Sequence, residues 1–235
     1  STEIMMINKT DWETFAEATG ASLEDLQTLE GVAAVAQTYY EWTDSLTPDV
    51  AGDGMAFYGR DAVANYFIIG MRQLGTEIFQ VENGQLTLNV PKEEMHRLWE
   101  NYYVPMVKGY FGAYGSFRSD DVKTGDILAY TGSTSSAMYF PNQVELDANS
   151  YPIEYIVMAA PVFEGGTPCA VQQGAGMVVS KSDKKHEYAA VEFLKWFTEA
   201  ENNLRFGSVA GYLPVLKEAN TREKLDQVIA EQELS

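Results

Sequence analysis

The chain is poor in the two side chains that most often bind metals or act as nucleophiles and bases. Its 235 residues include one cysteine, Cys169, and two histidines, His96 and His186. A single cysteine excludes a disulfide within the chain and a cysteine-based zinc site. The two histidines lack the paired spacing of a histidine-based metal site. We therefore expect no metal and no cofactor.

Basic residues are scarce as well. There are 16 Lys and Arg residues against 34 Asp and Glu residues, which gives a formal net charge of −18 at pH 7. Such a surface repels a polyanion over most of its area. The composition therefore argues against nucleic acid as a partner.

Long apolar runs are also missing. The longest run, residues 62–71, contains Asn65 and is far shorter than the roughly 20 residues that a membrane-spanning helix needs. No basic and then apolar leader opens the sequence, so we expect either a cytoplasmic protein or a mature, trimmed product. Residues 2–8 have the pattern of a strand entered in mid-fold, and the polar ending lacks an apolar seam. Both features indicate a fragment.

The residues that are plentiful predict a folded α/β protein. Hydrophobic residues make up 46% of the sequence and aromatic residues 12%, which excludes a disordered chain. Helix and strand signals alternate along the sequence, which is typical of an α/β layer architecture. We expect strands at residues 2–8, 126–130, 153–160 and 176–180.

Capping signals and apolar periodicity predict the helices. Ser22 and Asp25 form one capping signal, and Thr28 caps a helix that runs to about residue 42. Asp61 caps an apolar helix that ends at Gly75. Further helices are expected from Pro91, with a break at Pro105, at residues 184–203, with Phe193 and Trp196 on a core face, and at residues 221–233.

Motifs of the common enzyme classes are absent from the sequence. Residues 132–136 lack the Gly-x-Ser-x-Gly pattern of a serine hydrolase. Gly174 and Gly176 lack the third glycine of a dinucleotide-binding motif, and residues 49–54 lack the closing glutamate of a calcium loop. We therefore expect a protein that is not an enzyme.

Several segments resemble, in order and spacing, those of the extracellular solute-binding proteins, in the branch that includes maltose-binding protein. These proteins are the capture subunits of ABC importers. The segments are GAGMVVSKS at 174–182, AAVEFLKWFT at 189–198 and GYLPV at 211–215. Upstream, KTGDILAY at 123–130 is similar to the family's glycine turn and strand before the ligand cleft. Residues 4–9 and 161–163 resemble the strand that enters the second lobe and the loop near the hinge.

The resemblance implies a type II periplasmic-binding fold, in which two α/β lobes clamp a ligand. Residues 1–160 would be mainly the second, C-terminal lobe, and residues 161–235 would recross the hinge toward the first lobe. Most of the first lobe would precede Ser1, and further helices would follow Ser235. The implied partners are a small-molecule ligand, with carbohydrate favoured, and ABC permease membrane subunits. The implied location is extracytoplasmic, in the periplasm or lipid-anchored at the cell surface.

One group of candidate ligand-binding residues follows a predicted strand. Residues 131–136 would open a short helix, so hydroxyls and backbone N–H groups would converge there. Helix capping by a serine or threonine is the alternative. The maltose-type pattern has a tryptophan where Thr134 stands, which argues against a maltodextrin ligand. The candidates in this group are Thr131, Ser133, Thr134 and Ser135.

Three other segments supply the remaining candidates. Tyr58 could stack on a ring while Arg60 and Asp61 grip polar groups; alternatively, Asp61 only caps the helix. Gln173 and Gly174 could bring backbone close to a ligand, or form a bulge or turn. Tyr212 resembles a cleft-edge residue of the family, or belongs to the core.

These inferences together favour solute capture for an ABC importer, with a carbohydrate clamped between two lobes. One alternative is a small anion or acidic metabolite held by Arg60 and the helix start at Ser133. Another is a sensory or adhesion module that uses the same fold without transport. A hydrolase is the last alternative.

Overall fold

The computed structural model describes residues 1–146 and 149–233, and these residues form two compact units. The larger unit, here called the sheet body, comprises residues 2–133 and 139–171. The smaller unit, here called the helical body, comprises residue 1 and residues 134–138 and 172–235. The predicted division after residue 160 stays a prediction.

The sheet body holds eight described strands and five described helices. The strands are β1 (Glu3–Asn8), β2 (Tyr58–Arg60), β3 (Phe79–Glu82), β4 (Gln85–Leu88), β5 (Ala129–Ser133), β6 (Gln143–Val144), β7 (Tyr151–Pro152) and β8 (Tyr155–Ala159). The helices are α1 (Lys9–Thr19), α2 (Leu29–Ser45), α3 (Val63–Gln73), α4 (Lys92–Val107) and α5 (Arg118–Lys123). This alternation of strands and helices confirms the α/β class.

A four-stranded sheet in the order β2-β5-β1-β8 organises the sheet body. β1 lies antiparallel to both β5 and β8, whereas β2 is parallel to β5. Met5, Met6 and Ile7 of β1 are all fully buried, so this strand is covered on both faces. The opening strand expected from the sequence is therefore present, and it lies inside the sheet.

An aromatic cluster packs α1 and α2 against the sheet. The Phe15 ring lies 5.2 Å from Tyr39 and 6.3 Å from Phe57, and Trp12 lies 5.6 Å from Phe15, between ring centroids. Such pairs contribute beyond the apolar area that they bury. The sequence analysis did not predict α1, although Asn8, whose side chain accepts from the Asp11 N–H, caps its start.

Several predicted boundaries are wrong in detail. The strand expected at 126–130 lies at Ala129–Ser133, so two of the candidate site residues are strand residues rather than loop residues. No strand is found at 176–180 in the described structure. α3 has Ala62 as its N-cap, with no side-chain cap, in place of Asp61. α4 continues through Pro105 to Val107 instead of breaking there.

The helical body contains α6 (Lys184–Phe197), α7 (Ala200–Ala210) and α8 (Arg222–Glu233). The helix expected over 184–203 is therefore two helices. None of the α6 residues is buried within the described structure, and Phe193 and Trp196 are each 53% exposed. The predicted core face of this helix is thus wrong: periodicity shows which face of a helix is apolar, not what covers it.

Asp11 couples the stability of the sheet body to pH. Its carboxylate accepts from the Asn8 amide at 2.6 Å and from the Tyr151 hydroxyl at 2.9 Å. Burial raises the pKa of the Asp11 carboxyl, and these two hydrogen bonds oppose that shift. Just above the ordinary aspartate pKa, the folded state therefore keeps a proton that the unfolded chain has released. The stability that comes from this group falls as the pH rises through that window.

Asp11→Asn should therefore lose this pH dependence, because the amide stays neutral at every pH. Thermal unfolding of both proteins between pH 3.5 and 7 measures the effect. The midpoint of the wild type should rise relative to that of Asp11→Asn as the pH falls. Tyr151→Phe should move the window to higher pH, because it removes a hydrogen bond that favours the carboxylate. A midpoint difference that stays constant with pH would contradict this assignment.

Candidate binding site

β2 and β5 bring two of the predicted site residues together in the sheet body. Their parallel register aligns Arg60 with Thr131, and the Tyr58 hydroxyl donates to Thr131 Oγ1 at 2.7 Å. Tyr58 is 1% exposed and Thr131 is 0% exposed. Burial raises the pKa of the Tyr58 hydroxyl, so the phenol stays neutral and keeps its hydrogen bond. The two side chains therefore brace adjacent strands and present no accessible face for stacking in this conformation.

Asp61 lies at the end of β2 and ties a second loop to it. Its Oδ1 accepts the backbone N–H of Arg118 at 3.0 Å. The carboxylate thus caps the neighbourhood of α5, not the start of α3 as the sequence predicts. Asp61 itself is exposed.

Arg60 forms a buried ion pair with Glu3 of β1. Its Nη2 donates to Glu3 Oε2, and the two side chains are each 4% exposed. Asn65 of α3 donates to the other carboxylate oxygen, Glu3 Oε1, at 2.9 Å. The guanidinium also lies 5.4 Å from the centre of the Tyr66 ring. We refer to Glu3, Arg60 and Asn65 as the polar triad.

The polar triad borders a cavity of about 450 Å³ in the sheet body. The lining residues come from the start of β1, from α3, and from the segment that follows β8. They are Thr2, Glu3, Ile4, Leu29, Arg60, Tyr66, Ile69, Gly70, Gln73, residues 159–162 and residues 168–171. The volume lies within the range of about 300–1,000 Å³ that is usual for small-molecule sites.

Hydrogen bonds hold the segment after β8 in place as the cavity wall. Val162 exchanges backbone hydrogen bonds with Gln27 and Leu29, both at 3.1 Å. The buried Gln73 of α3 accepts from the Phe163 N–H at its side chain, at 3.1 Å, and from the Thr167 N–H at its backbone, at 2.8 Å. Cys169 lies on this wall, with its sulfur 3.7 Å from the Ile69 carbonyl oxygen. The wall is therefore anchored on both α2 and α3.

Two buried donors at this cavity find no protein partner among the described residues. They are the Arg60 Nε–H and the Thr2 hydroxyl. A buried polar group without a partner is costly, and it is uncommon in folded proteins. These two groups are therefore available to a bound molecule.

The other predicted site residues lie in the helical body, except Ser133, which ends β5 in the sheet body. Within the helical body, the Thr134 hydroxyl donates to the Gly211 carbonyl at 2.9 Å. Gly211 ends α7 with φ +68°, and a Cβ there would meet the Cα of Ser135 at 2.7 Å. Thr134 and Tyr212 also line a separate pocket of about 340 Å³. This contact confirms that the two segments meet, as candidates for one site must.

Gln173 and Gly174 lie in an extended part of the helical body. The Gln173 backbone exchanges hydrogen bonds with Ser1, from its N–H at 2.9 Å and to its carbonyl at 3.0 Å. Gly174 is exposed, and a Cβ there would meet no described atom within 4 Å. Close packing therefore does not require a glycine at this position.

Sequence reasoning missed half of the polar triad and its neighbours. Glu3, Asn65 and Thr2 were not among the candidates, although a lone acidic residue within the apolar strand β1 was a usable signal. An ionised side chain in a buried strand needs a partner. The sequence does not say that this partner is Arg60.

The described residues contain no helix that is both long and apolar enough to cross a membrane. Among those residues, no three His, Cys, Asp or Glu side chains gather in a way that could hold a metal ion.

The fold is that of the type II periplasmic-binding proteins. Structures similar to this chain include UgpB from Mycobacterium tuberculosis in complex with glycerophosphocholine, with a TM-score of 0.68 and 19% identity over 98% of this chain and 54% of that one. Another is maltose-bound MalE3 of T. maritima, with a TM-score of 0.63 and 13% identity over 99% of this chain and 57% of that one. A third is a ribitol-bound ABC transporter solute-binding protein from Agrobacterium radiobacter K84, with a TM-score of 0.62 and 18% identity over 99% of this chain and 56% of that one.

The chain belongs to the family of bacterial extracellular solute-binding proteins, whose sequence profile matches residues 1–233. Among curated proteins, none matches the sequence. The chain spans somewhat more than half the length of the solved structures that it resembles. The resemblance inferred from the sequence motifs is confirmed.

Proposed function

We propose that the protein to which this chain belongs captures a neutral small molecule, of the carbohydrate class, outside the cytoplasm and delivers it to the membrane subunits of an ABC importer. The observation that carries the proposal is the match to the solute-binding family over residues 1–233. The named ligands of the similar structures, which include maltose and ribitol, support carbohydrates and polyols as the class. The protein would bind and release its ligand without altering it.

Capture would proceed by closure of two lobes, as the family resemblance implies. A ligand that touches both lobes shifts the population toward the closed form by its difference in affinity for the two forms. The candidates of the sheet body, Arg60, Asp61 and Ser133, would serve one side of the cleft. Tyr58 and Thr131 would act by bracing the strands behind them. Thr134, Ser135, Gln173, Gly174 and Tyr212 remain proposed ligand contacts of the helical body.

An anionic ligand held by Arg60 is not favoured. The Arg60 charge is already neutralised by Glu3 at the same place. An anion would have to share the guanidinium with a carboxylate, and the two negative charges would repel each other. The overall charge of −18 adds to this repulsion.

A thermal-unfolding screen of the complete protein tests the proposal. A ligand that binds only the folded state stabilises it by RT ln(1+[L]/Kd), about 2.7 kcal/mol at a hundredfold excess over Kd. We expect at least one compound in a panel of hexoses, pentitols and short oligosaccharides to raise the midpoint, and to be recovered unchanged after incubation. A rise with organic acids or phosphates alone would overturn the carbohydrate class. Turnover of the bound compound would overturn a purely capturing role.

A further inference from the structure

We propose that the cavity beside the polar triad is a binding subsite for one neutral, hydroxyl-bearing unit of the ligand, such as a pentitol or one sugar ring. The inference rests on the proposed function and adds to it the place, the contacts and the charge of the bound unit. The contacts are the Arg60 Nε–H, the Thr2 hydroxyl and the carboxylate of Glu3.

The charge of the cavity decides the charge of its occupant. Glu3 and Arg60 are the only charged residues among those described as lining it, and they form one ion pair. The site therefore has no net charge to offer an ion. A hydroxyl group donates and accepts at once, so it can bind to either member of the pair while the pair stays intact.

The unpartnered groups decide the kind of contact. Arg60 is 6% exposed, and its Nε–H has no partner among the described residues. The Thr2 hydroxyl, which lines the same cavity, is in the same position. A sugar or polyol carries hydroxyls on neighbouring carbons, so one molecule can satisfy both groups. A site built around such unmet hydrogen bonds discriminates strongly against analogues that lack the hydroxyl.

The remaining walls suit the carbon face of the same ligand. Ile4, Leu29, Ile69 and Val162 line the cavity together with the ring of Tyr66. The Tyr66 hydroxyl donates to the Leu98 carbonyl at 2.8 Å, so it is occupied and leaves the ring as the surface. One polar edge facing apolar walls matches a molecule with hydroxyls on its rim and C–H groups on its face.

The first test is the protection of Cys169, which lies on the cavity wall. N-ethylmaleimide labelling of the complete protein is followed by the mass of the peptide that holds Cys169, with ribitol, glucose or maltose present. We expect a bound neutral probe to slow labelling at least fivefold. Ribonate and gluconate, which replace one CH₂OH or aldehyde end by a carboxylate, should protect at least tenfold less well.

Two pairs of variants separate this subsite from other sites on the protein. Ala170→Trp should fill the cavity from its exposed wall and lower the affinity at least tenfold, whereas Ala170→Ser should leave it unchanged. Thr2→Val keeps the shape but removes the hydroxyl and should lower the affinity three- to tenfold, whereas Thr2→Ser should retain it. Unchanged thermal midpoints without ligand confirm that the variants fold.

The outcomes distinguish the subsite from the function. If neutral probes stabilise the complete protein but neither protect Cys169 nor respond to Ala170→Trp and Thr2→Val, the subsite is wrong and solute capture stands. If no neutral probe stabilises the protein or protects Cys169, the proposed function falls and the subsite falls with it. Equal protection by ribitol and ribonate would overturn the neutral class while keeping the cavity as a site.

Discussion

Asp121→Ala should lower the free energy of unfolding of the sheet body by about 3–5 kcal/mol, the range for breaking a buried ion pair. The Asp121 carboxylate accepts from Arg118 Nη1 at 2.6 Å, and the two side chains are 2% and 6% exposed. It also accepts the backbone N–H groups of Tyr114 at 3.1 Å and Gly115 at 2.6 Å. The variant therefore leaves a buried cation and two backbone donors without their acceptor.

Urea unfolding followed by tryptophan fluorescence measures this loss. Asp120→Ala is the matched control, because it changes the same residue type in the same short helix. Asp120 is exposed, and its carboxylate accepts the Phe117 N–H at 3.3 Å. This control should cost about 1 kcal/mol, as for an ordinary helix cap. Equal losses for the two variants would show that burial of the Arg118–Asp121 pair has no special weight.

Arg60→Met should have a similar effect, about 3–5 kcal/mol, because it leaves the Glu3 carboxylate buried without its cation. The double variant Glu3→Gln with Arg60→Met should recover more than half of that loss. Glutamine has no charge to bury and still offers its carbonyl to the Asn65 amide, which lies 2.9 Å from Glu3 Oε1. Removing both charges is tolerated better than removing one.

The comparison of single and double variants forms a double-mutant cycle, again measured by urea unfolding. Glu3→Gln alone should also be destabilising, because the Arg60 cation then lies buried without a carboxylate. The coupling energy between the two positions should be clearly nonzero. If the losses of the two single variants simply add in the double variant, the pair does not act as a unit.

Local patterns were sufficient for elements whose signal lies within a few residues. Thr28 caps α2 by accepting the Gly31 N–H at 3.0 Å, as its place before an apolar stripe predicts. Ser22 and Asp25 form the expected capping box, although the turn that follows is a 3-10 helix. Gly70 lies where a Cβ would meet the Phe163 ring at 2.8 Å, as a glycine inside an apolar helix indicates.

Features that depend on distant residues could not be read in the same way. The polar triad joins Glu3 to Arg60 across 57 positions of the sequence, and no local pattern records that distance. The burial of Tyr58 follows from the strands and helices packed around it, so an exposed stacking role was an equally natural interpretation. The exposed apolar face of α6 shows the converse: the stripe is local, but its cover is not.

The central position of β1 has a consequence for how the molecule assembles. Its neighbours on either side, β5 and β8, begin at Ala129 and Tyr155, so both ladders of β1 join residues more than a hundred positions apart. Closing loops of that length is entropically unfavourable before any contact compensates, which slows folding. During synthesis, the first strand to leave the ribosome therefore waits with both edges open until most of the sheet body has been made. Helices α1 to α4, whose hydrogen bonds are local, can form during that wait.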